Sequence, residues 1–177
     1  MVYICRSRLG AAFYFQYHSR EIKGDYVMKT VFIEPNNNFS YRKYYYKLLD
    51  AIEERISEGY DNFIVGPNDF DKMTFRICRR IRHFHPSINI AAILLSDEEK
   101  ENDAYYKATT IVYDFEYKHL GRRNLESHKR ALRQCEAVIG YVDDENKHTV
   151  DAYTMRYARR NGLKTINIYD PTELYPF

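Results

Sequence analysis

From Met28 onward, short apolar runs alternate with longer segments whose apolar residues recur every three or four positions. KTVFI (Lys29–Ile33) is β-rich and gives way to the breaker cluster Pro35-Asn36-Asn37-Asn38. Tyr45, Leu48, Leu49, Ile52 and Ile56 then repeat at helical spacing, with Ser40 placed to cap that helix and Gly59 to end it. NFIV (Asn62–Val65) reads as a second strand. The turn Gly66-Pro67-Asn68-Asp69 leads into an amphipathic helix with an apolar side of Met73, Phe75, Ile77, Cys78, Ile81 and Phe84. Asp69 or Asp71 caps it and Pro86 stops it. INIAAILL (Ile88–Leu95) is continuously apolar, as expected of a central parallel strand.

The second half repeats the theme. Ser96–Lys107 is polar and reads as a loop or short helix, and Thr109–Phe115 as a strand. Asn124–Gln134 forms a basic helix, Ala137–Val142 a strand, Thr149–Asn161 a helix closed by Gly162, and Lys164–Tyr169 the last strand. The alternation predicts an α/β fold, a parallel sheet with helices on both faces. Residues 1–27 do not fit it and read as an N-terminal extension ahead of a domain over 28–177. Met28 looks like a natural start; the alternative is that AAFYFQYH adds an edge strand.

Composition narrows the class. At 177 residues, 45% hydrophobic and 29% charged, the chain is expected to be one soluble globular domain. A net charge of +2 does not by itself call for nucleic acid. Three scattered cysteines, Cys5, Cys78 and Cys135, support neither a disulfide framework nor a zinc site, so a reducing cytoplasm is expected. No apolar run approaches the roughly 20 residues that span a bilayer, and no signal peptide is expected. Eighteen tyrosines without a tryptophan suit a busy surface or a homo-oligomer interface.

In open parallel sheets ligands bind at the carboxyl ends of the strands. Three segments compete for that edge: Glu34–Asn38, Gly66–Asp69 and Asp143–Thr149. The order of parts from Met28 to Asp170 resembles the SLOG superfamily, Rossmann-like nucleotide-binding proteins related to cytokinin-activating phosphoribohydrolases and DNA-processing proteins. The resemblance, closest to small bacterial members, rests on Phe70-Asp71 after the second strand and on Arg123-Asn124 before the penultimate helix. CEAVIGYVDD (Cys135–Asp144) and YARRNGLKTINIY (Tyr157–Tyr169) extend it. The departures are specific. Where that family has Gly-His-Arg, this chain has Glu34-Pro35-Asn36; the first glycine-rich turn keeps only Gly66; the late Gly-Gly becomes Asn146–Val150. Fewer glycines and the added Asp69, Asp143 and Asp144 make the edge less welcoming to a diphosphate.

The resemblance implies a protein that binds or senses a nucleotide or nucleotide-derived small molecule, without catalysis, cofactor or metal, self-associating, in a bacterium or phage. Asn36, Gly66, Asn68, Asp69, Arg123, Asp143 and Thr149 would form the pocket, with Arg123 as phosphate partner. Thr149 stands where a helix begins and is either a hydroxyl donor to an anion or a plain N-cap. An enzyme cleaving N-glycosidic bonds is the alternative; the glycine-rich motif of the phosphoribohydrolases is absent, and Asp69 and Asp71 would be its acid and base rather than caps. A degenerate, ligand-free interaction module is a third reading. Arg76, Arg79, Arg80 and His83 share one helix side, and Lys129, Arg130 and Arg133 another. Both stripes read as solvated faces, and nucleic acid is not expected as a partner. In Tyr44-Tyr45-Tyr46 at least one ring must be exposed.

Overall fold

A computed structural model of the chain describes residues 3–6, 12–15, 28–34, 41–66, 69–94, 109–112, 120–143 and 148–170. Two strands, β1 (Tyr3–Arg6) and β2 (Ala12–Phe15), pair antiparallel in a sheet of their own. The extension thus pairs with itself instead of adding a strand to the parallel sheet.

The remaining elements run β3 (Lys29–Glu34), α1 (Tyr41–Ser57), β4 (Tyr60–Val65), α2 (Asp69–Phe84), β5 (Asn89–Leu94), β6 (Thr109–Val112), α3 (Leu120–Leu132), β7 (Ala137–Gly140), α4 (Val150–Arg160) and β8 (Lys164–Asn167). The six strands β3–β8 form one sheet in the order β6-β5-β4-β3-β7-β8, every pairing parallel. This is the expected α/β, Rossmann-like architecture. The chain builds outward from β3 to β6, then crosses back to β7 on the other flank of β3. The reversal creates a switch point between β3 and β7, where helices leave the sheet on opposite faces; ligands of open α/β sheets bind beside such points at the carboxyl edge.

The two faces follow from the period-two alternation of strand side chains. Val31, Ile33, Phe63, Val65, Ile90, Ala92, Ala137 and Ile139 pack with Tyr44, Leu48 and Ile52 of α1 and with Phe75, Cys78 and Ile81 of α2. Phe32, Ile64, Ala91, Ile93 and Val138 pack with Ala131 and Leu132 of α3 and with Ala152, Met155 and Ala158 of α4. Gly140 lets α4 come close: a Cβ there would lie 2.6 Å from Met155 Sδ.

Several expectations shift in detail. In α1 the fully buried residues include Tyr44, Leu48, Ile52 and Arg55, while Tyr45, Leu49 and Ile56 are half-buried and pack against the same core. Arg55 is 2% exposed because Glu54 and Glu58 hold its guanidinium at 2.6 and 2.8 Å. Of the triple tyrosine, Tyr44 is buried with its hydroxyl on Thr74, and Tyr46 is exposed as required. Phe84 is not on the apolar side of α2: it is 69% exposed, while Phe75, Ile77, Cys78 and Ile81 are buried. α2 begins at Asp69, so Asp71 lies within its first turn rather than capping it. α3 begins at Leu120, which puts Arg123-Asn124 inside the helix and not ahead of it. The polar segment 96–107 and the cap position Ser40 lie outside the described residues.

Candidate functional site

The last residue of β3, Glu34, pairs with Gly140 of β7 at the switch point. Its side chain falls on the α3/α4 face, as the alternation with Phe32 requires. It is 1% exposed, and both carboxyl oxygens are buried. Two side chains meet it there. His128 of α3 brings Nδ1 to 3.0 Å from Glu34 Oε2. Asp151, in the first turn of α4, lies beside the Glu34 carboxyl.

The hydrogen placement can be worked out. Thr154 Oγ1 donates to the Val150 carbonyl at 2.9 Å, so its oxygen is left to accept. It lies 3.2 Å from His128 Nδ1, which therefore carries the hydrogen and faces both Thr154 and Glu34. The Phe32 ring packs against the imidazole at 5.4 Å and helps fix its plane.

Burial pushes the Glu34 carboxyl well above the ordinary carboxylate range, and the neighbouring Asp151 charge pushes it the same way. Asp151 is raised as well, by burial, with Glu34 and His128 pulling it back in part. Glu34 is the fully buried member and Asp151 the half-buried one. Among the described residues no group of His, Cys, Asp and Glu is arranged to hold a metal ion.

The backbone around the switch point is pinned from both sides. Tyr141 N–H donates to the Glu34 carbonyl at 3.2 Å. Asn167 of β8 accepts from Val142 N–H at 3.1 Å and donates to the Val142 carbonyl at 2.8 Å. Thr149 is the N-cap of α4, its Oγ1 accepting from Ala152 N–H at 3.1 Å.

The sequence-derived site residues divide accordingly. Gly66 follows β4, half-buried Arg123 lies in the first turn of α3, Asp143 follows β7, and Thr149 caps α4. All four are therefore at the carboxyl edge. The backbone of Asp69 and Asp71 opens α2 at the same edge. Asn36 and Asn68 lie outside the described residues. His128 and Asp151 were not among the sequence candidates, and Glu34 entered only as the first residue of the segment Glu34–Asn38. One signal was present: Ser127 and His128 stand one turn ahead of Ala131 and Leu132, on the side of α3 that must face the sheet.

A second concavity, of about 450 Å³, lies between α1 and the exit of β8 and is lined by Asp50, Glu54, Ile166 and Ile168. Lys47 and Asp170, 3.9 Å apart, flank it. No helix of the described residues is long and apolar enough to cross a membrane. No protein-family model matches the chain, and comparison with curated proteins finds no match.

Proposed function

We propose that the chain binds or senses a nucleotide or nucleotide-derived small molecule at the switch point between β3 and β7, without catalysis of its own. The observation that carries this reading is the Glu34–Asp151 carboxyl pair, set into the switch point of an all-parallel sheet. Ligands of open α/β sheets enter at that place. A Glu34 that keeps its proton adds no negative charge there. Asp151 can accept from the hydroxyl or amino groups of a nucleoside, and Arg123 and the start of α4 offer positive ends to a phosphate.

The proposal carries with it a cytoplasmic setting and self-association. Calorimetric titration with nucleoside monophosphates, NAD, ADP-ribose and cyclic nucleotides tests it, with chromatography of the recovered ligand. Saturable binding with intact ligand is expected. Release of free base would make the chain an enzyme, and no heat from any ligand would remove the proposal.

A further inference from the structure

α2 leaves an unusual face to solvent. From Lys72 to Phe84 the sequence has five Lys or Arg and no Asp or Glu. Arg76, Arg79, Arg80 and His83 are all exposed, at spacings of three and four, so they form one stripe about 10 Å long. Phe84 adjoins its end and packs edge-on against the His83 ring at 5.3 Å.

Cations in the last turn complement the helix dipole, which accounts for Arg82 and His83. It does not account for Arg76, Arg79 and Arg80, which lie further from the helix end. Several cations on other elements of the described residues are matched: Lys129 with Glu126, Lys164 and Arg55 with Glu58. Among the side chains described on their own helix, Arg76, Arg79 and Arg80 meet no acid, and like charges one turn apart repel. On the neighbouring helix, Glu53 pairs with His85 at 2.8 Å.

We propose that the outer face of α2 binds single-stranded nucleic acid. Guanidinium forks match phosphate oxygens in geometry as well as charge. Exposed rings beside a cationic track are what unpaired bases stack on. A lipid surface fits less well, because the apolar side of α2 is spent on the core and its outer side presents one large apolar ring, Phe84. This inference is independent of the site at the carboxyl edge.

The test uses the full chain and dye-labelled polythymidine and polyuridine, read by fluorescence anisotropy between about 50 and 200 mM salt. Binding is expected to weaken with salt at a log–log slope of about −0.7 per phosphate engaged, hence roughly −2 for three arginines. R79E/R80E, at exposed positions and with an unchanged melting temperature, should lose about tenfold or more in affinity and flatten the slope. Phe84→Ala should weaken binding with the slope retained, since it removes stacking and not charge. A preference between the two oligonucleotides would assign the sugar. The proposal is overturned if neither oligonucleotide binds at low salt, if R79E/R80E binds like the parent, or if only anionic phospholipid vesicles or a second copy of the chain occupy the face.

Discussion

At the residue scale, Glu34 dominates. A group whose pKa is raised on folding contributes its stability below its unfolded pKa, and that contribution is lost as pH rises through the folded value. Stability should therefore fall as pH climbs above the ordinary Glu value of 4.5. Glu34→Gln keeps a side chain of the same size that cannot titrate. Urea unfolding midpoints measured between about pH 5 and pH 9 should flatten in this variant relative to the parent. Parallel profiles would mean that Glu34 does not hold its proton. Cys78 gives a second residue-scale expectation. Burial pushes its thiol up to about 12, and Cys135, whose Sγ donates to the Ala131 carbonyl at 3.1 Å, is pushed up as well. Neither should react with iodoacetamide at pH 8 until the chain is unfolded; mass spectrometry of native and urea-treated protein distinguishes the cases.

At the element scale, α4 joins packing to the site. Gly140→Ala would drive a methyl into Met155 and should cost about 1–3 kcal/mol. Trimming the thioether in Gly140→Ala/Met155→Ala should make the pair cost less than the sum of its singles, a coupling that chemical denaturation measures. Thr149 separates two roles that the sequence left open. Thr149→Ala should cost about 1 kcal/mol from the lost cap, and Thr149→Asp should restore that stability. If the residue also faces a bound phosphate, Thr149→Asp will recover folding but not nucleotide affinity.

The limits of the sequence show at this scale too. Strand positions were legible because β3, β4, β5 and β7 are buried on both faces, which leaves nearly continuous apolar runs. Helix faces were less so. Arg55 replaces an apolar residue because two glutamates neutralise it, and Phe84 mimics one while standing in solvent. Strand ends and turns pointed to the carboxyl edge, yet the acid pair and the histidine that meet there were not assigned a role. Glu34 resembles any acid at a strand end, and His128 and Asp151 become partners only once α3 and α4 cross the same face. That pairing is set by strand order, which local periodicity does not encode.

For the whole molecule, a six-stranded parallel sheet places two neighbouring acids, Glu34 and Asp151, at the point where its order reverses. The direct test is thermal unfolding of the parent and of Asp151→Asn with nucleoside monophosphates, NAD, ADP-ribose and cyclic nucleotides. A ligand at about 100 times its Kd adds roughly 2.7 kcal/mol, a shift of several degrees. The account predicts such a shift for at least one nucleotide in the parent and a reduced shift in Asp151→Asn. A folded parent that no nucleotide stabilises, or an Asp151→Asn variant that responds as strongly, would contradict it.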